Sequence, residues 1–267
     1  MVNTTLRNGD HGQAVRDLQR QLIVRGAQIV PDGWFGDATE AAVAAFQTRS
    51  RLVVDGLAGS KTLQALASGQ VSARTLGHAD LERAAVQLGV DVASIYAVNQ
   101  TESRGCGFLE DGRAVILYER HIMYARLQQT GADVATLAAR YPNLVNPQRG
   151  GYAGGTAEYV RLKNARNLDD TCAIESASWG LFQIMGFHWQ ALGYASAQAF
   201  MDAMNRSEGD QLDAFVRFIL ADADLLKALQ ARKWADFARR YNGPEYKTNL
   251  YDVKLARAYE QFSKVAA

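Results

Sequence analysis

The sequence has few cysteines, histidines and prolines, and its charges nearly balance. Among 267 residues there are two cysteines, four histidines and four prolines, with a formal net charge of +1. The cysteines and histidines are scattered without metal-ligand spacing, so we expect no metal site and no cofactor. Nucleic-acid-binding domains usually carry a strong basic excess, and the near-zero balance therefore argues against nucleic acid as a partner.

Long apolar runs are also missing. No segment approaches the roughly 18 consecutive apolar residues that a membrane-spanning helix needs, so we expect no stable membrane insertion. The first ten residues, MVNTTLRNGD, lack the charged-then-apolar pattern of a secretory signal. We therefore expect synthesis in the cytoplasm without a signal peptide. With 48% hydrophobic and 21% charged residues, the chain suits one large globular domain or two unequal ones.

Charge is distributed unevenly along the chain. Residues 71–226 carry 13 basic and 18 acidic side chains, whereas residues 227–267 carry nine basic and four acidic ones. This basic C-terminal segment could contact an anionic surface, such as an outer membrane. A solvated helix face produces the same pattern, and the sequence leaves both interpretations open.

A short repeat lies near the N-terminus. The frame D-G-x-x-G-x-x-T starts at Asp32 and returns at Asp55. In each frame the Asp-Gly pair predicts a tight turn, the second glycine a positive φ, and the next polar residue a helix cap. Asp37 and Glu40 have the spacing of a capping box. Apolar periodicity before, between and after the frames predicts three short helices.

Residues 6–67, with DGWFGDATEAAVAAFQ followed by VDGLAGSKT, resemble the three-helix peptidoglycan-binding domain of many cell-wall hydrolases. The resemblance implies that residues 1–67 form a domain that binds bacterial peptidoglycan. Trp34 and Phe35 lie on the first turn, where aromatic rings can offer a platform to a sugar or a peptide stem. The small, polar segment 68–79 predicts a linker.

The remaining residues, 80–267, are predicted to form a second, mostly helical domain. Asp91 can cap a helix whose apolar stripe continues to Glu102, and a glycine-rich break follows. Burial and the negative end of the helix both favour the protonated carboxyl. They should therefore raise the pKa of Glu102 above the reference value of about 4.3. A general acid that cleaves glycosides needs this property. The alternative is an ion pair between Glu102 and a cation such as Arg104.

Two further motifs follow Glu102. They are GLFQI at residues 180–184 and YNG at residues 241–243. Together with Glu102 and the serine after it, they resemble, in order and spacing, the three motifs of goose-type lysozymes and soluble lytic transglycosylases. The resemblance implies that Glu102 is the catalytic acid.

The same resemblance implies roles for other side chains. Gln183 would line the glycan cleft, and Tyr241 would support Glu102. Ser178, just ahead of the second motif, is a candidate partner of the glutamate. The chain departs from the usual transglycosylase form in having Phe182 where methionine is common.

A closer resemblance covers most of the second domain. The segments NQTES, ILYERHIMY, YPNLVNP and SASWGLFQIMGFHW are similar to the N-acetylmuramidase domain of modular phage endolysins. Tyr118 and Glu119 follow an apolar, strand-like run, so we expect Tyr118 at the substrate and Glu119 as a second carboxylate. An ion pair of Glu119 with Arg113 or Arg120 is the alternative.

These observations predict an all-α protein with two domains, the second lysozyme-like with a small β element near residues 113–119. The resemblance implies a monomeric phage endolysin that cleaves the β-1,4 bond between N-acetylmuramic acid and N-acetylglucosamine and so lyses bacteria. Such an enzyme would reach the periplasm through a holin.

Three other functions stay open at this point. A lytic transglycosylase would cut the same bond with one glutamate and form an anhydro ring. A wall-binding protein would grip glycan without cleaving it. An amidase or endopeptidase would cut peptide stems, but that chemistry usually needs zinc or a Cys-His pair. Cys106 and Cys172 each lie close to a proposed cleft motif, so they either pair or are unrelated thiols.

Overall fold

The computed structural model describes residues 5–103 and 105–265, and these residues are mainly helical. They contain fourteen α-helices: α1 (Gln13–Val24), α2 (Asp37–Arg49), α3 (Ser60–Ser68), α4 (His78–Leu88), α5 (Val92–Glu102), α6 (Arg120–Gln129), α7 (Val134–Arg140), α8 (Ala157–Arg166), α9 (Asp170–Glu175), α10 (Ala197–Arg206), α11 (Glu208–Ala221), α12 (Ala223–Gln230), α13 (Trp234–Asn242) and α14 (Tyr251–Val265). The strands are β1 (Ile116–Tyr118), β2 (Ala177–Trp179) and β3 (Ile184–Met185). The predicted mainly α fold class is confirmed. Within the described residues, no helix has both the length and the apolar character needed to cross a membrane.

The chain divides into two compact units. One consists of Met1–Thr101 with Ala228–Ala267, and the other of Glu102–Lys227. In the first unit the segment between α3 and α4 is packed, since Leu76 is only 1% exposed. This division does not coincide with the boundaries predicted from the sequence, which stay a prediction.

The first three helices share a core of their own, as their apolar spacing predicts. Because apolar residues recur every three to four positions, each helix turns one face inward. The buried core is formed by Leu6, Val15, Leu18, Leu22, Phe35, Ala42, Val43, Phe46, Leu52, Ala58, Ala65 and Leu66. These side chains come from all three helices and from the segments before and between them, so this module has its own hydrophobic core.

The two repeated frames form turns in which the first glycine has the positive φ. Gly33 and Gly56 have φ values of 83° and 71°. The second glycines, Gly36 and Gly59, have φ values of −98° and −82° and are the N-cap residues of α2 and α3. The prediction that the second glycine takes a positive φ was therefore wrong. A Cβ on Gly36 would lie 3.0 Å from the indole ring of Trp34, a close contact that Trp34 would have to shift to relieve.

The predicted capping box at Asp37 is also absent. Asp37 is the first residue of α2, and the N-cap residue is glycine, which has no side chain to accept a bond. The side-chain Nδ2 of Asn8 donates instead to Asp37 Oδ1 at 2.9 Å and to Glu40 Oε2 at 2.7 Å. Both carboxylates lie in the first helical turn, where the positive end of the helix dipole favours them.

Each frame is locked by a buried glutamine that the sequence analysis missed. Nε2 of Gln19 donates to Asp32 Oδ1 (2.8 Å) and Thr39 Oγ1 (3.0 Å), and its Oε1 accepts the Gly33 N–H (2.8 Å). Gln47 makes the same three bonds in the second frame, at 2.7, 3.1 and 3.0 Å. Since unpaired buried polar groups cost about 1–3 kcal/mol each, these amides fix the turn geometry.

The second unit contains a small antiparallel sheet with the strand order β1-β2-β3. Leu117 pairs with Ser178, and Ser178 pairs with Met185. Strand β1 is the β element predicted near residues 113–119. Strands β2 and β3 flank the second sequence motif and were not predicted. Trp179 on β2 is fully buried, so its indole belongs to the core.

Candidate active site

Glu102 is the last residue of α5 and is half-buried. The predicted cap is confirmed, because the N–H of Ser94 donates to Asp91 Oδ1 at 2.7 Å. One turn before Glu102, Oδ1 of Asn99 is buried without a hydrogen-bond partner. Because Glu102 ends the helix, its carboxyl lies beside the carbonyl groups of the last turn, which disfavour a negative charge. Arg104, the alternative ion-pair partner, lies outside the described residues.

Glu119 lies at the junction of β1 and α6. It is the N-cap residue of α6, and its N–H donates to the carbonyl of Ser176 at 2.8 Å. The strand therefore carries Glu119 to its end, as the apolar run predicted. The side chain is 15% exposed. It is thus largely shielded yet still accessible, which suits a carboxylate that must meet a substrate.

The Glu119 carboxylate has two polar neighbours that the sequence analysis missed. The hydroxyl of Tyr152 lies 3.0 Å from each carboxylate oxygen. Nδ1 of His121 lies 3.1 Å from Oε2. Burial and the hydrogen bond to Glu119 raise the pKa of Tyr152, so the shared proton stays on the phenol oxygen. Tyr152 belongs to the glycine-rich segment 147–155, whose composition gave no sign of this pairing.

The arginines expected as alternative partners of Glu119 bind elsewhere. Arg120 donates to the carbonyls of Gln148 and Arg149, at 2.9 and 3.0 Å. The Arg113 guanidinium pairs with Asp111. Both arginines thus hold local backbone and side chains in place. The carboxylate of Glu119 is held instead by the neutral phenol of Tyr152, with the imidazole of His121 beside it.

Ser178 and Gln183 contact each other across the turn between β2 and β3. Oγ of Ser178 donates to Gln183 Oε1 at 3.0 Å. Nε2 of Gln183 donates to the carbonyls of Gly180 (2.9 Å) and Val115 (3.3 Å). Gln183 has a φ of 53°, a left-handed conformation that is uncommon outside glycine. These bonds hold Gln183 in that conformation and tie the second motif to the residues before β1.

Tyr118 and Tyr241 differ in accessibility. Tyr118 is fully buried, and its hydroxyl donates to the carbonyl of Leu144 at 2.9 Å. Burial raises the pKa of Tyr118. Its ring fills the core of the second unit, which favours a structural role over substrate contact. Tyr241 is on α13 in the first unit, half-buried, and stacks on Phe237 with ring centroids 6.0 Å apart.

The two aromatic residues of the first frame point in opposite directions. Phe35 is fully buried in the core of the N-terminal module, where no ligand can reach its ring. Trp34 is 54% exposed and stacks on His11, with ring centroids 5.9 Å apart. Of the pair expected to bind substrate, Trp34 is thus the side chain that the structure leaves accessible.

Cys106 and Cys172 are both free thiols. Cys106 is exposed, whereas Cys172 is buried beside Asp169. Burial raises the pKa of Cys172 to about 12. Among the described residues, no group of three His, Cys, Asp or Glu side chains could hold a metal ion.

Known proteins show similarity to both parts of the chain. The sequence model of N-acetylmuramidases matches residues 91–263. The model of a putative peptidoglycan binding domain matches residues 11–66.

Two individual relatives match nearly the whole chain or a short stretch of it. The crystal structure of a Burkholderia AP3 phage endolysin is 56% identical and superimposes with a TM-score of 0.94, covering 98% of this chain and 100% of that one. The zinc D-Ala-D-Ala carboxypeptidase of Streptomyces albus G is 48% identical over 61 residues, which is 22% of this chain. That match spans about a quarter (24%) of the carboxypeptidase.

Proposed function

The chain belongs to the N-acetylmuramidase family, and on that premise we propose that Glu102 and Glu119 carry its reaction. The protein is a muramidase-type glycoside hydrolase of peptidoglycan with an added peptidoglycan-binding domain. The bond it cuts is the β-1,4 linkage between N-acetylmuramic acid and N-acetylglucosamine. The proposal concerns which side chains cut it and how.

One observation carries the assignment of the two carboxyl groups. Glu102 ends helix α5, whereas Glu119 is the N-cap residue of α6. The negative end of a helix favours a protonated carboxyl and the positive end favours a carboxylate. Both residues belong to the same compact unit. Two carboxyl groups in opposite electrostatic surroundings are the arrangement that glycoside hydrolysis uses.

In the proposed reaction Glu102 acts as general acid. It donates its proton to the glycosidic oxygen, the bond from this oxygen to the sugar C1 breaks, and its electron pair stays on the leaving oxygen. The Glu119 carboxylate stabilises the cationic C1 centre or orients the attacking water, and it accepts the proton that the water loses. The Tyr152 hydroxyl holds Glu119 in place, since it donates to both carboxylate oxygens at 3.0 Å.

The products test whether the reaction is hydrolysis. We expect mass spectrometry of the released muropeptides to show N-acetylmuramic acid with an ordinary reducing end. A lytic transglycosylase would instead release 1,6-anhydro ends, each one water lighter. Mainly anhydro products would show that no water attacks, and they would remove Glu119 from the mechanism.

We further propose how the enzyme reaches its substrate. A monomer made in the host cytoplasm would cross the inner membrane through a holin and lyse the cell from the periplasm. Infected cells with a blocked holin should then accumulate active enzyme without lysing. Lysis at the normal time in such cells would show that the enzyme has its own export route.

A further inference from the structure

A charged pair lies buried in helix α8. Glu158 is 0% exposed and Arg161 is 8% exposed. Nη1 of Arg161 donates to Glu158 Oε2 at 2.7 Å. Burying such a pair costs desolvation energy that often cancels the attraction, so stability alone does not account for it. The backbone groups that the pair binds therefore indicate its role.

Glu158 binds the backbone next to both members of the Glu119–Tyr152 contact. Its Oε1 accepts the N–H groups of Ala153 at 2.6 Å and Gly154 at 2.9 Å, directly after Tyr152. Its Oε2 accepts the N–H of Tyr118 at 3.3 Å, directly before Glu119. One carboxylate thus joins the end of β1 to the glycine-rich segment.

Arg161 completes this junction from the other side. Its Nη1 donates to the carbonyl of Tyr118 and its Nη2 to the carbonyl of Asn143, both at 2.9 Å. In an antiparallel ladder the backbone groups of successive residues point to opposite edges. Glu119 N–H bonds to Ser176 on the β2 side, so the N–H and carbonyl of Tyr118 face the free edge. The charged pair occupies that edge where a fourth strand would otherwise pair.

Glu158 stays ionised in the fold. Burial opposes the negative charge of Glu158, but the N–H groups of Gly154 and Ala153 and the Arg161 guanidinium outweigh it. Together they hold the pKa of Glu158 below its usual value. The carboxylate therefore remains an acceptor for these backbone groups.

We propose that Glu158 and Arg161 are positioning residues that set the contact between Tyr152 and Glu119. They act through the peptide units next to the two side chains and touch no substrate. The proposal rests on the proposed role of Glu119. A small shift of a reacting group can cost about a hundredfold in rate, so loss of the pair should lower kcat without unfolding the enzyme.

The main test replaces both charges at once. Removing one partner would leave an uncompensated buried charge, whereas replacing both removes the two charges together. We expect the Glu158→Met, Arg161→Met enzyme to fold with a lower melting temperature, because the backbone groups of Tyr118 lose their partners. Assayed well below that temperature, it should keep its KM within about twofold. Its kcat should fall roughly tenfold to a hundredfold. An unchanged kcat would overturn the proposal.

Glu158→Asp and Ile219→Ala are measured alongside. Glu158→Asp keeps the charge beside Arg161 but shortens the side chain by one methylene, so it should show the same kcat defect and serves if the double variant does not fold. Ile219 is fully buried in α11 and is not part of the site. Ile219→Ala should lower the melting temperature and leave kcat unchanged well below it. Equal kcat losses in this control would reduce the pair to a stability role and overturn the proposal.

A double-mutant cycle separates positioning from a general effect on the fold. In a Glu119→Gln background the pair has nothing left to position, so its replacement should cause no further loss of kcat. Additive losses would overturn the proposal. If Glu119→Gln alone keeps full activity, Glu119 has no catalytic role and the positioning proposal falls with it. If Glu119→Gln is inactive while the double variant is fully active, the positioning proposal alone fails.

Discussion

The hydroxyl of Tyr152 lies 3.0 Å from both carboxylate oxygens of Glu119, across 33 residues of sequence. A phenol in this position shares its single proton between two acceptors and fixes the carboxylate plane. The contact joins the end of strand β1 to a glycine-rich segment that has no regular secondary structure over residues 147–154. It places the proposed water-activating carboxylate at the end of β1 in the second unit.

The Tyr152→Phe variant should cost about tenfold in kcat. A hydrogen bond to a charged group contributes roughly 1.5–3 kcal/mol, and partial exposure places this one near the lower end. Tyr152 is 47% exposed, so its replacement should lower the melting temperature by only a few degrees. Turnover of purified peptidoglycan and thermal unfolding measure the two effects. Wild-type kcat in the variant would show that Glu119 does not depend on Tyr152.

Replacing Glu102 by glutamine should abolish lysis. General acid–base catalysis contributes about 10²–10⁴-fold, and the amide keeps the shape of the side chain without a transferable proton. The circular dichroism spectrum should be unchanged. Glu110→Gln is the matched control, because Glu110 is exposed in the same unit and lies on a turn. Near-wild-type lysis by Glu102→Gln would remove it from the site.

Trp34→Ala should weaken binding to peptidoglycan roughly threefold to tenfold, because an aromatic contact contributes about 0.5–1.5 kcal/mol. Sedimentation with purified cell walls measures this in a Glu102→Gln background, which leaves the substrate intact. Val24→Ala is the control, since Val24 is 81% exposed on the same module. Equal binding by both variants would mean that the wall is bound elsewhere.

The two thiols should react at very different rates. Cys106 is exposed, while burial raises the pKa of Cys172 to about 12, so Cys172 holds almost no thiolate in the native fold. A colourimetric disulfide reagent should titrate one thiol quickly and the second only after denaturation. Cys106→Ser should remove the fast reaction. The melting temperature should not depend on reductant, and a dependence would indicate a bridge.

Loss of Glu158 should flatten the acid side of the stability profile. The folded-state pKa of Glu158 lies below the ordinary value of 4.5, so its ionisation stabilises the fold above that pH. The contribution is lost as the pH falls from about 4.5 through the folded pKa. We therefore expect the difference in unfolding free energy between wild type and the Glu158→Met, Arg161→Met variant to change only in this acid range. A difference that is constant with pH would mean that Glu158 titrates normally.

Features that depend on residues close in sequence were predictable. The helical spacing of apolar residues located α1, α3 and the end of α5 at Glu102, because a helix places every third or fourth residue on one face. The cap at Asp91 follows from the same short-range geometry. The repeated frames predicted turns, although the roles of their glycines were reversed: the first glycine has the positive φ, and the second is the N-cap residue of the following helix.

Which side of a turn a residue faces was decided by packing. Trp34 and Phe35 are adjacent, yet one is exposed and the other is in the core, since neighbouring side chains in extended backbone point apart. In the same way Tyr118 is buried while Glu119 keeps 15% of its surface. Composition does not show which of two adjacent side chains faces the core. The sequence therefore led us to expect both members of each pair at the surface.

The sequence by itself determined the mainly helical class, the two family resemblances and the position of Glu102 at a helix end. Only the tertiary structure decided what surrounds Glu119. Tyr152 lies 33 residues further along the chain and Glu158 another six, and no local periodicity couples them to the end of β1. A buried carboxylate needs hydrogen-bond donors. Packing brings the N–H groups of Ala153 and Gly154 in the glycine-rich segment, and of Tyr118 at the strand edge, within reach of Glu158.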